Sequence, residues 1–119
     1  MIQLDSITWH AGTFRLENVS VTIPAHRYSV LMGRTGCGKT TLLEIICGLR
    51  QPLAGNVYID GRNVTHWPPA ARGVGYVPQD GAMFPTMTVR EQLGFALRLR
   101  KQPADSVEHC EECGRLLVH

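Results

Sequence analysis

Lysine is nearly absent from this chain: among twelve basic residues in 119, only Lys39 and Lys101 are lysines. Ten acidic residues leave a formal net charge of +2, too small for bulk electrostatics to point to a nucleic-acid partner, and none is expected. Long apolar runs are missing too. The longest candidate, Thr41 to Leu49, is interrupted by Glu44 and falls far short of the roughly 20 residues that cross a bilayer. The opening Met1-Ile2-Gln3-Leu4-Asp5 has no basic region and an early acid, unlike a secretory signal. Four cysteines do not make the dense framework of a small secreted domain, so a reduced, cytosolic protein is the default expectation. Repeats and low-complexity tracts are lacking. What remains is 44% hydrophobic and 18% charged, the composition of one folded domain.

The first third alternates at period two. Ile2, Leu4 and Ile7, then Phe14, Leu16, Val19, Val21 and Ile23, flank a turn at Ala11-Gly12 and predict half-buried antiparallel strands. Pro24 ends that stretch. Tyr28-Ser29-Val30-Leu31-Met32 reads as a short strand buried on both faces, and a glycine-rich turn leads to an apolar segment, Thr40 to Leu49, that repeats like a helix and carries a stop signal at Gly48. Gly55 to Ile59 alternates into the turn dipeptide Asp60-Gly61, and Val74 to Val77 predicts one more strand, closed by Pro78. A helix is expected over Thr88 to Lys101, opened by the capping box Thr88-x-x-Glu91, and a last one over Asp105 to Val118. The chain changes from strand-rich to helical near Gln79, which divides it into 1–79 and 80–119.

The most informative segment is Gly33-Arg34-Thr35-Gly36-Cys37-Gly38-Lys39-Thr40, a match to G-x-x-x-x-G-K-[ST] between an expected strand and an expected helix. Glycines let successive backbone N–H groups curve around phosphate oxygens, and the helix start adds its dipole and unpaired donors. Lys39 is expected to reach the β- and γ-phosphates as a catalytic and binding charge, and the Thr40 hydroxyl to ligate Mg²⁺. Gly33 through Thr41, including Arg34, Thr35, Gly36, Cys37 and Gly38, form the candidate nucleotide-binding set. Cys37, near a helix start and a lysine, is either an activated thiol or a small filler.

A phosphate loop alone leaves the family open, although the Asn-Lys-x-Asp string of guanine readers does not occur. Further stretches narrow it: Val19-Ser20-Val21-Thr22-Ile23, Gly55-Asn56-Val57-Tyr58-Ile59-Asp60-Gly61, Arg72-Gly73-Val74-Gly75-Tyr76-Val77-Pro78-Gln79 and Met83-Phe84-Pro85-Thr86-Met87-Thr88-Val89-Arg90-Glu91. With the phosphate loop, they resemble the ATP-binding subunits of importer-type ABC transporters, in order, over about residues 2–101. The resemblance implies an α/β P-loop NTPase core with an incomplete parallel sheet, an antiparallel β-subdomain and the start of a helical subdomain. It implies ATP and Mg²⁺ as cofactors. Gln79 matches the Q-loop glutamine, which contacts Mg²⁺ and the attacking water and is a candidate metal and catalytic residue. Trp9 lies where the family places an adenine-stacking aromatic; packing into the sheet is the competing reading. Met83, Phe84, Pro85 and Met87 form an apolar cluster, read either as core or as part of a docking region, Asp80 to Arg90, for transmembrane permease subunits. A second ATP-binding subunit is the other expected partner, in a head-to-tail dimer, and the inner face of the cell membrane the expected location.

The resemblance stops before the family's signature sequence, its Asp-Glu strand end and its switch histidine. Binding of Mg-ATP or ADP with little turnover is therefore expected of this chain by itself, as the N-terminal part of a transport ATPase. A non-catalytic nucleotide-binding module and a small P-loop kinase are the alternatives. Asp60 mimics a Mg²⁺-binding strand end but reads better as a hairpin turn. His109, Cys110, Cys113 and His119 have partial metal-ligand spacing, yet on a helix Cys110 shares an apolar face with Val107, Gly114 and Leu117. Missing neighbours for the Tyr28–Met32 strand predict self-association.

Overall fold

The computed structural model describes residues 1–81 and 84–99. The expectations for Met83, for the last helix and for the Cys/His tail lie outside them. Two compact units divide the chain, Met1–Tyr76 and a second that begins at Val77.

In the first unit, β1 (Ile2–Ala11) and β2 (Phe14–Ile23) form the expected hairpin, turning between the paired Ala11 and Phe14. β3 (Ala54–Ile59) pairs with the other edge of β1, and β4 (Arg62–Asn63) follows through a turn. The sheet order is β2-β1-β3-β4, antiparallel throughout. Asp60 and Gly61 both take left-handed backbone angles, φ 49° and 78°, as a tight two-residue turn requires.

Strict alternation fails twice, for one reason. Leu4 and Ile7 are both buried although three residues apart, because the register shifts between them where Ser6 takes φ 51°. Asn18, at φ 52°, does the same between Leu16 and Val19. Each irregular residue leaves the ladder and finds a side chain: the Ser6 N–H donates to Ser20 Oγ at 2.9 Å and the Asn18 N–H to Thr8 Oγ1 at 3.3 Å. The bulges thus keep the large apolar side chains of β1 and β2 on the core face of the sheet. Against that face lies α1 (Lys39–Cys47), whose Leu42, Ile45 and Ile46 join Leu4, Ile7, Leu16, Val57 and Val64 in the core.

Two expected strands do not form. Tyr28–Met32 carries no strand pairing, and Tyr28, Val30 and Met32 are exposed, Val30 at 82%. Val74–Val77 is likewise unpaired. A helix satisfies its own backbone groups, but a parallel strand depends on neighbours, and none flanks either segment among the described residues. The parallel part of the α/β core is thus represented by the loop and helix alone. In the second unit α2 (Val89–Leu99) follows the capping box as expected. The Glu91 N–H donates to Thr88 Oγ1 at 3.3 Å, and the Thr88 N–H donates back to Glu91 Oε2 at 2.7 Å. No described helix is long and apolar enough to cross a membrane.

Candidate functional site

The segment from Gly33 to Cys37 is an exposed loop that runs directly into α1. Gly38 starts the helix at φ 99°, a left-handed angle that a side chain would strain, and no side chain caps it. Space forbids a side chain as well. A Cβ on Gly38 would stand 2.7 Å from both Phe14 and Leu16, so β2 presses directly on the turn. The first helical bond runs from the Leu42 N–H to the Gly38 carbonyl at 2.9 Å. The N–H groups of Lys39, Thr40 and Thr41 therefore have no acceptor within the helix. No acidic residue lies in that first turn to compete for them.

Lys39 folds back over the loop. Its ammonium donates to the carbonyls of Gly33 and Arg34, both at 2.8 Å, and lies 3.7 Å from Cys37 Sγ. The Cys37 N–H donates to the Arg34 carbonyl at 3.2 Å, closing the turn through Thr35 and Gly36. Gly33, Arg34, Cys37 and Lys39 are thus drawn into one ring, with Thr40 and Thr41 at its helical rim. The Lys39 ammonium, the exposed Arg34 and N–H groups without an acceptor in the helix together form a cradle chemically suited to an anion. The Thr40 hydroxyl is exposed at its edge, where an oxygen ligand for a phosphate-bound divalent cation is needed. The N–H donors and the ammonium suit a nucleotide's phosphates, and the Thr40 oxygen suits a magnesium ion.

Trp9 is half-buried on β1, packed against the core, with its ring 6.2 Å from that of Phe14. Phe14 touches the Gly38 turn, so Trp9 stands one side chain away from the cradle. The Arg50 guanidinium lies over the Trp9 ring, 4.9 Å from its centre, and is held there by Glu44 of α1. Gln79 belongs to the second unit, exposed in a turn closed by the Gly81 N–H and the Pro78 carbonyl at 3.2 Å. There Phe84 stacks on Phe95 at 5.0 Å, while Gln92 accepts from the Phe84 N–H and donates to the Met87 carbonyl. Asp60 is a hairpin residue. The N-terminal ammonium, 2.6 Å away, donates a hydrogen bond that holds its carboxyl below the usual range, and the charge adds to the effect.

The site roles of four residues carry no signal in a single sequence. Phe14 and Leu16 back the cradle, Arg50 covers Trp9, and the buried Arg72 grips the far end of α1. Each depends on contacts between residues distant along the chain.

The family model described as "ABC transporter" matches residues 16–116. The molybdate/tungstate import ATP-binding protein of Pyrococcus abyssi is 38% identical over 101 residues, covering 85% of this chain and 29% of that protein. The spermidine/putrescine import ATP-binding protein of Oleidesulfovibrio alaskensis is 42% identical over 107 residues, covering 90% and 29%. The chain thus spans under a third of the length of these relatives. Among solved structures, a dimeric post-hydrolysis state of an ATP-binding cassette bound to ADP and Pi has a TM-score of 0.76 at 28% identity. It aligns with 96% of this chain, which covers 54% of that one.

Proposed function

We propose a function from the premise that this chain belongs to the ABC transporter family: it is the phosphate-gripping part of an ATP-binding subunit that drives solute import. The observation that carries this is the Lys39 ammonium, poised on the Gly33 and Arg34 carbonyls above the unpaired N–H groups of α1. An arriving phosphate offers Lys39 a charged acceptor in place of two neutral ones, and charge-assisted hydrogen bonds are about twice as strong. The rim of N–H donors receives the remaining oxygens with no reorganisation of the helix.

In this reading Gly33 to Thr41 hold the phosphates and Thr40, with Gln79, ligates Mg²⁺. Trp9 stacks on the adenine. The described residues of the Asp80–Arg90 region meet a permease subunit at the inner membrane face, and a second ATP-binding subunit completes the site head to tail. Magnesium supplies charge neutralisation when bound; the chain's own residues bind and orient the phosphates. Alone, the chain binds Mg-ATP and turns it over slowly.

Isothermal titration with Mg-ATP tests this. Binding is expected, with affinity at least about tenfold weaker in Lys39→Ala, since a charged hydrogen bond contributes roughly 1.5–3 kcal/mol. Affinity unaffected by that substitution, or brisk steady-state hydrolysis by the isolated chain, contradicts the reading.

A further inference from the structure

Arg72 is the one charged side chain that is buried among the described residues, at 5% exposure. Among the described residues it has no carboxylate partner. Its hydrogen bonds among these residues go to backbone carbonyls: Nη1 donates to Ile45 at 2.8 Å and Ile46 at 3.0 Å, Nη2 to Thr65 at 2.8 Å, and Nε to Trp67 at 3.0 Å. Two of these are last-turn carbonyls of α1, where the helix dipole is negative and a cation is favoured. The other two lie in the loop after β4. That loop is itself tied to the sheet, because Thr65 Oγ1 accepts the Val57 N–H at 2.9 Å.

The helix end is shaped for this group. Gly48 closes α1 at φ 83°, and a Cβ there would stand 2.6 Å from Arg72 Nε. Gly48 and Leu49 donate to the carbonyls of Ile45 and Glu44, while the guanidinium takes Ile46 and shares Ile45. A planar fork with five donors can span helix and loop at once; an ammonium on a flexible stem cannot hold the same set in one geometry.

α1 is nine residues long, about 13 Å at 1.5 Å per residue, and the phosphate cradle is its opposite end. A helix this short moves as a rod, so fixing its last turn fixes where its first turn points. We propose that Arg72 is a positioning residue for the nucleotide, clamping the carboxyl end of α1 so that the amides of Gly38 to Thr41 and the Lys39 ammonium meet the phosphates. This rests on the reading that the cradle binds Mg-ATP. It adds that the grip depends on a residue that touches no part of the ligand.

The unmodified chain is titrated first with Mg-ATP; no heat there removes the nucleotide reading itself and this inference with it. Given binding, Arg72→Lys and Arg72→Met are titrated well below their melting temperatures, where circular dichroism shows them fully folded. A clamp that merely holds the fold lowers the melting temperature but leaves the affinity of folded molecules unchanged. Positioning weakens that affinity about tenfold, within the range of coupling between distant sites, with the loss smaller in Arg72→Lys. Unchanged affinity in folded Arg72→Lys and Arg72→Met overturns the inference. Coupling is reciprocal, so a second measurement uses the unmodified protein: saturating Mg-ATP is expected to shift the Arg72 Nε–H resonance. If neither variant folds, that resonance decides, and a signal that stays put overturns the inference.

Discussion

At Lys39 one ammonium group satisfies two carbonyls of its own loop, and beside it Gly38 gives up a side chain so that Phe14 and Leu16 can seat the turn. Charge and shape at the cradle therefore come from different parts of the first unit. In the proposed reading Trp9 meets the base. Its ring lies between the core and the Arg50 guanidinium, so a base stacks on it only by displacing Arg50. Stacking on a base contributes roughly 1–3 kcal/mol, so Trp9→Ala is expected to weaken Mg-ATP about tenfold while leaving inorganic tripolyphosphate unaffected. Titration calorimetry with both ligands checks this; equal losses for the two mean that Trp9 acts through packing alone. The loop residues were readable from their spacing, because only backbone donors and one cation are needed. Arg72 was not, because its role arises from carbonyls of α1 and of the loop after β4 meeting in space.

Among the elements, the legible ones are those that find hydrogen-bond partners within the described residues. The Asp60-Gly61 turn and the start of α2 close theirs within a few residues, while β2 and β3 pair along the two edges of β1. The strands expected at Tyr28–Met32 and Val74–Val77 depend on partners and remain unpaired. The bulges at Ser6 and Asn18 were also hidden, since they break the alternation that signals a strand. At α2 the cap has a pH signature. Hydrogen bonds from the Thr88 N–H, and then from its hydroxyl, hold the Glu91 carboxyl below the usual carboxylate range. The folded value lies below the unfolded one, so the cap's contribution is present above the ordinary range near pH 4.3 and fades as pH falls through the depressed value. Thr88→Ala is expected to cost about 1 kcal/mol of helix stability and to reduce that dependence only in part, since the backbone N–H that donates to Glu91 remains. Amide exchange along α2 between pH 3 and pH 7 measures both, and unchanged protection in the variant contradicts the assignment.

For the whole molecule, the consequence of unpaired apolar chain is association. Tyr28, Val30 and Met32 expose side chains on a segment whose backbone has no strand partner among the described residues. Such edges recruit other chains. Sedimentation velocity is expected to show oligomers that grow with concentration, reduced in a Val30→Lys, Met32→Lys variant. A clean monomer over the full concentration range contradicts this. The sequence places the change of character near Gln79 and the contacts divide the chain after Tyr76. The family was legible because its motifs fall in order along most of the chain. The central claim is that backbone amides at the start of α1, with one ammonium, grip a nucleotide's phosphates. Nitrogen-15 spectra recorded while Mg-ATP is added test it most directly. The account predicts that the largest shifts fall on Gly36 to Thr41 and disappear in Lys39→Ala; amide signals from those residues that stay in place at saturating Mg-ATP contradict it.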